Sequence, residues 1–218
     1  MILIFILCFT LTLHAQENLK IYFLDVGQGD SSVIISSSGQ VVLIDSGPDE
    51  SLILNYLENL SISHIDLLIA SHAHADHITG MDKIIAKYKP KAFIDSGIPH
   101  TTIVYQKMIT AIVKNNINYY QGTSRKISLG PLTFTILPPA NPLLKVSELN
   151  NNSLVMRLDF KEFSCLFTGD IEKEREGQLL TESRSDLNVD ILKIAHHGSS
   201  SGSSPLFIKS VNPVEMVN

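Results

Sequence analysis

The chain has 218 residues, 44% of them hydrophobic and 18% charged, which is enough apolar side chain for one sizeable core and too much for a chain that stays unfolded. Seventeen Lys and Arg stand against 22 Asp and Glu, a formal net charge of −5, and this argues against a protein that grips duplex DNA through a basic stripe. Twelve glycines and the lack of heptads exclude collagen and coiled coil.

Met1 to Leu13 is apolar apart from Thr10 and Thr12, and no charge precedes Glu17. A membrane-spanning helix needs about 20 apolar residues, so residues 1–15, ending in Leu13-His14-Ala15, read as an export signal and 16–218 as one domain. The expected product is exported, periplasmic or extracellular, with no stable membrane insertion. Cys8 leaves with the signal, and Cys165 remains as a core thiol.

A complete strand signal begins at Leu19. Residues 19–26, 31–36 and 40–45 are short apolar runs separated by Gly-Gln-Gly-Asp and Ser-Ser-Gly-Gln, the pattern of an antiparallel meander. Leu52, Leu54, Tyr56, Leu57 and Leu60 then fall at helical spacing, and a buried strand runs from Leu67 to Ala70. Further helices are expected at 77–88, 102–116, 172–183 and 205–211. Strands are expected at 91–95, 125–129, 132–137, 153–160, 163–168 and 189–195, with 138–152 as the one long irregular stretch. The mixture predicts an α+β fold in layers, with two sheets to cover. One internal echo stands out: Asp66 lies six residues before His72, and Asp190 six before His196. Two mirrored half-domains would produce it, and so would chance.

The string His72-Ala73-His74-Ala75-Asp76-His77 follows the buried strand and opens a helix. Four ligand-type residues in six, separated only by alanines, have no ordinary core role, because core histidines come singly and with partners. Imidazole and carboxylate suit divalent cations such as zinc, manganese or iron.

Here the sequence resembles the metallo-β-lactamase superfamily, whose His-x-His-x-Asp-His signature it matches residue by residue. Val42-Leu43-Ile44-Asp45-Ser46-Gly47, Phe167-Thr168-Gly169-Asp170 and Ile194-Ala195-His196-His197-Gly198-Ser199 resemble further family motifs, in family order. Phe23-Leu24-Asp25-Val26-Gly27-Gln28-Gly29-Asp30-Ser31 together with His-His-Gly-Ser is similar to the C-terminal hydrolase domain of ComEC-type competence proteins. The resemblance implies a four-layer αββα sandwich of the metallo-β-lactamase type. It implies Asp170 as the carboxylate shared by two metals and Asp45 as the aspartate beneath the ligands. Taken alone, Asp45 could cap a turn and Asp170 a helix. Of His196 and His197, one is expected to bind metal and the other to orient it or meet substrate, with His197 favoured. The Gly198-Ser199 turn is expected to offer anion-accepting amides beside it.

Two departures bear on the site. Where the family resemblance implies a further histidine, the chain has Asn150-Asn151-Asn152-Ser153, which leaves His100 as the loop candidate for the site, equally readable as a surface histidine at a helix start. His64 and His14 read as bystanders. The resemblance also implies a Gly-His-Pro element after Val211-Asn212-Pro213-Val214, and the sequence stops at Asn218 before one, so the expected fold is shortened at its C-terminus.

Two cations follow from these ligands. His72 and His74 would hold the first and Asp76, His77 and His197 the second, with Asp170 shared and the distal N–H of a ligand histidine on Asp45. Such a pair acidifies a water between its ions and makes a hydrolase. Asp76, Asp170 and His100 are the candidates for the catalytic part. The competence-type resemblance implies a phosphodiester substrate, DNA and single-stranded DNA included. Hydrolysis of a lactone, thioester or β-lactam uses the same cations, and an inactive metal-binding module is the third reading. Nothing in the sequence marks a protein partner.

Overall fold

The computed structural model describes residues 18–123 and 125–218. The segment read as an export signal lies outside them. In chain order come β1 (Leu19–Phe23), β2 (Ser32–Ser36), β3 (Val41–Ile44), α1 (Glu50–Asn59), β4 (Leu67–Ile69), α2 (Ala75–Ile78), α3 (Met81–Tyr88), β5 (Ala92–Asp95), α4 (Ile103–Lys114) and β6 (Asn118–Gln121). The second half runs β7 (Arg125–Leu129), β8 (Leu132–Leu137), α5 (Glu148–Asn151), β9 (Val155–Phe160), β10 (Phe163–Phe167), α6 (Lys173–Glu182), β11 (Ile191–Lys193), α7 (Pro205–Val211) and β12 (Glu215–Val217).

The strands form two six-stranded sheets, ordered β1-β2-β3-β4-β5-β6 and β12-β11-β10-β9-β8-β7. Alternation along the strands decides what each face covers, because successive side chains point to opposite sides. Val33, Leu43, Leu68 and Phe93 pack against Ile53 and Leu57 of α1, Ile84 and Ile85 of α3, and Met108 and Ile112 of α4. Their neighbours Ile34, Val42, Ile44, Leu67, Ile69 and Ile94 turn the other way and meet Phe134, Ile136, Met156, Leu158, Cys165 and Phe167 of the second sheet. Val155, Leu166 and Leu192 face outward onto Leu179 of α6 and Phe207 and Val211 of α7. Helices, sheet, sheet and helices make the expected αββα sandwich, with Cys165 buried between the sheets. No helix among the described residues is long and apolar enough to cross a membrane.

Two expectations need correction. The helix expected over 77–88 is two helices, α2 and α3. Thr79 is extended at φ −65°, ψ 130° and Gly80 is left-handed at φ +84°; a Cβ on Gly80 would lie 2.9 Å from Glu50 Cα. The stretch 138–152 is not wholly irregular, since it contains α5. The edge strand β6, Asn-Tyr-Tyr-Gln, was not expected; every residue in it is exposed, so it carries no apolar alternation.

Candidate metal centre

The site stands where parallel strands end. β3 and β4 run parallel in the first sheet, β10 and β11 in the second. Asp45 follows β3, His72 to His77 follow β4 and open α2, Asp170 follows β10, and His196 and His197 follow β11. Strand ends give these side chains rigid platforms, and loops beyond the carboxyl ends of parallel strands are where ligands bind in open sheets of this kind. Asp45, His196 and His197 are held at φ +57°, +53° and +51°, a left-handed strain that non-glycine residues keep where the surroundings demand it.

Asp45 is buried and its carboxylate is fully engaged: Oδ1 accepts from Ser71 N at 2.7 Å, and Oδ2 lies 2.7 Å from Ser71 Oγ and 2.8 Å from His77 Nδ1. It therefore does not cap a turn of its own. His77 Nε2 points away from Asp45 and lies 3.2 Å from Asp170 Oδ1. His197 Nε2 lies 3.4 Å from both Asp76 Oδ2 and Asp170 Oδ2. One ligand atom from each of Asp76, His77, Asp170 and His197 falls within 4.8 Å of the others. On the adjoining side His72 Nε2 is 2.9 Å from His74 Nδ1 and 3.8 Å from Asp170 Oδ2. A second set, Asp30, Asp45 and His77, also converges within 4.8 Å.

Buried polar atoms without partners are rare in folded proteins, and three of the six among the described residues fall in the cluster. His77 Nε2, Asp170 Oδ1 and His197 Nε2 are buried and make no hydrogen bond. Nitrogen and carboxylate donors that face one another unsatisfied fit a divalent cation of the zinc type. The charges agree. Burial pushes His77 down, but Asp45 and Asp170 outweigh it and lift it to about 10. His197 is likewise pushed down by burial and lifted to about 11 by Asp170, Asp30 and Asp76. The neighbouring His197 imidazole, 3.4 Å away, draws Asp76 down to about 2. Burial raises Asp170, and His197 and His77 together pull it well below the usual carboxylate range. Burial holds His72 and His74 below the ordinary imidazole value.

Asp170 does not cap α6; that position belongs to Glu172. His196 stands at the rim, with Nδ1 2.9 Å from Ser201 Oγ and Nε2 4.0 Å from Asp170 Oδ2. His100 is half-buried, its ring centre 6.3 Å from that of His74 and its Nδ1 3.1 Å from Thr102 Oγ1. His64 is on the surface beside Asp66, 3.4 Å away. The amides expected to receive an anion are not free: Gly198 N donates to Ala195 O and Ser199 N to His196 O. Sequence reasoning missed Asp30, whose Oδ1 lies 3.1 Å from His197 Nδ1 across 167 residues of chain. Asp30 closes the Gly27-Gln28-Gly29 turn, the one signal that singled the loop out.

Comparison with known proteins agrees with this geometry. The model of the metallo-beta-lactamase superfamily matches residues 24–215, and the chain belongs to that superfamily. Recombination protein 2 of Haemophilus influenzae is 30% identical over 220 residues, covering 96% of this chain and 26% of that protein. Competence protein ComA of Neisseria gonorrhoeae is 26% identical over 196 residues, covering 87% of this chain and 25% of that protein. The chain thus spans about a quarter of the length of these relatives. Among solved structures, the metallo-beta-lactamase fold protein YhfI of Bacillus subtilis superposes with a TM-score of 0.58 at 16% identity, covering 91% of this chain and 85% of that one. The candidate ligand clusters and the superfamily together support a metal-dependent hydrolase.

Proposed function

We propose, from membership of that superfamily, that the chain is a phosphodiesterase acting on DNA or a related phosphodiester with two divalent cations, zinc by donor chemistry and manganese as its substitute. The observation that carries the reading is the convergence of unsatisfied buried donors on Asp170: His77 Nε2 and His197 Nε2 stand around its carboxylate with no hydrogen bond of their own. His72 and His74 would hold one cation and Asp76, His77 and His197 the other, with Asp170 shared. Such cations, when bound, supply an acidified water and positive charge for the transition state.

The chain's own residues do the rest. Asp45 accepts from His77 Nδ1 and so turns Nε2 to the centre, fixing the imidazole as a carboxylate behind a ligand does. Asp170 spans the two histidine groups from a strand end that is buried and rigid. In this reading His100, beside His74, would meet the substrate. His196, bonded to Ser201 at the rim, would orient His197 or the substrate. The phosphodiester draws support from the names of the relatives, a recombination protein and a competence protein. Action outside the cytoplasm rests on the apolar segment of residues 1–15. Zinc-loaded and manganese-loaded protein assayed on bis(p-nitrophenyl) phosphate, single-stranded DNA and a chromogenic lactam tests the reading. Turnover of the first two supports it; turnover of the lactam alone moves the chain to the other hydrolase class, and metal uptake without turnover makes it a binding module.

A further inference from the structure

The loop between β1 and β2 puts a carboxylate behind the site that the hydrolase reading leaves unused. Asp30 is 7% exposed and Lys193, the last residue of β11, is 5% exposed. Lys193 Nζ lies 2.8 Å from Asp30 Oδ1, and His197 Nδ1 lies 3.1 Å from the same oxygen. The backbone on either side is pinned as well. Asp30 N donates to Asp76 O at 3.3 Å, and Asp30 O accepts from Gly47 N at 2.9 Å.

A buried ammonium and a buried carboxylate are costly unless paired, and here the pair is placed so that its oxygen also holds an imidazole. With Nδ1 engaged by Asp30, the nitrogen that His197 turns toward Asp76 and Asp170 is Nε2, the one left without a partner. The arrangement repeats the one behind His77, where Asp45 takes Nδ1 and leaves Nε2 facing Asp170. It also accounts for the convergence of Asp30, Asp45 and His77. Both Asp45 oxygens and Asp30 Oδ1 already accept from protein donors.

We infer that Asp30 and Lys193 are a positioning pair that holds His197 in register for the second cation, an inference that rests on reading Asp76, His77, Asp170 and His197 as that cation's site. Carboxylates behind ligand histidines set ring orientation and basicity, and their loss weakens metal binding about 10–100-fold.

Zinc affinity, measured by competition with a chromophoric chelator, tests this without any turnover assay. Asp30→Asn is expected to weaken the second zinc about 10-fold and Asp30→Ala up to about 100-fold, with the first zinc unchanged. Lys193→Gln is expected to give part of the same loss. In a His197→Ala background, Asp30→Ala is expected to add nothing, because no imidazole is left to hold. Wild-type affinity in Asp30→Ala, or an equal loss with and without His197, overturns the inference, and wild-type affinity in Lys193→Gln removes the lysine from it. Melting curves of the metal-free proteins show which variants fold. If Asp30→Ala does not, the isosteric Asp30→Asn is read alone and in the His197→Ala background. A wild-type chain that takes up no zinc overturns the cation reading and this inference together, whereas tight zinc that is indifferent to Asp30 overturns the inference alone.

Discussion

Asp170 is the residue on which the site turns, since His72, His77 and His197 all lie within 3.8 Å of its carboxylate. Asp170→Ala and His77→Ala are expected to cost at least about 4 kcal/mol of barrier, roughly a thousandfold in rate, with the fold intact, while His64→Ala, exposed and distant, leaves turnover unchanged. Metal content per chain, measured beside the melting temperature, separates lost ligation from lost stability. The charges of the metal-free site give a second expectation. His77 and His197 have folded values near 10 and 11, above the ordinary 6.5, so their contribution to stability is full below pH 6.5 and is lost as pH rises toward 10–11. Asp76, drawn from 3.8 to about 2, contributes above pH 3.8 and loses its contribution as pH falls toward 2. Melting temperatures in chelator should therefore decline above about pH 6.5 and below about pH 4. Zinc affinity should instead rise with pH, because the cation must displace the imidazole protons; a pH-independent affinity would contradict the assignment.

At the scale of elements, what the sequence made legible was what it wrote locally. The meander, β4, α4 and α7 have strong periodicity, and the ligand string announces its own place at the end of a strand. The break between α2 and α3 was harder to see, because one glycine inside a helical pattern is ordinarily tolerated. It becomes decisive only through a neighbour distant in sequence, the backbone of Glu50 in α1. Asp30 was hidden for the same reason, since its partners His197 and Lys193 lie on β11 and the turn beyond it. Gly80→Ala tests the break. The left-handed backbone and the contact at 2.9 Å with Glu50 Cα should together cost about 1–3 kcal/mol, read as a lower denaturation midpoint with unchanged denaturant dependence. A Gly80→Ala variant as stable as the wild type would show that α1 and α3 yield freely, and that the break is not what sets the angle of the ligand helix.

At the scale of the whole molecule, the echo read in the sequence has a local counterpart in each sheet. Asp66 Oδ2 accepts from Val41 N at 2.8 Å, and Asp190 Oδ2 accepts from Ser164 N at 2.7 Å. Each aspartate precedes a strand that runs parallel to the one it caps, with Val42 opposite Leu67 in the first sheet and Cys165 opposite Ile191 in the second. Each then delivers histidines from the far end of that strand. The candidate ligands are thus divided between halves, Asp76 and His77 from one, Asp170 and His197 from the other, so a cation bound by all four joins the two sheets at their carboxyl ends. Free zinc at a hundred times its dissociation constant should stabilise the folded chain by about 2.7 kcal/mol, a rise of about 5–10 °C in melting temperature for a chain of this size. In Asp170→Ala most of that rise should vanish, because the shared carboxylate is gone. Phe134→Ala, fully buried where the sheets meet, should lose about 3–5 kcal/mol of stability through the cavity it leaves, yet keep the zinc-dependent rise. If the two variants behaved alike toward zinc, the metal would be acting on general stability and not across the junction that the ligands span.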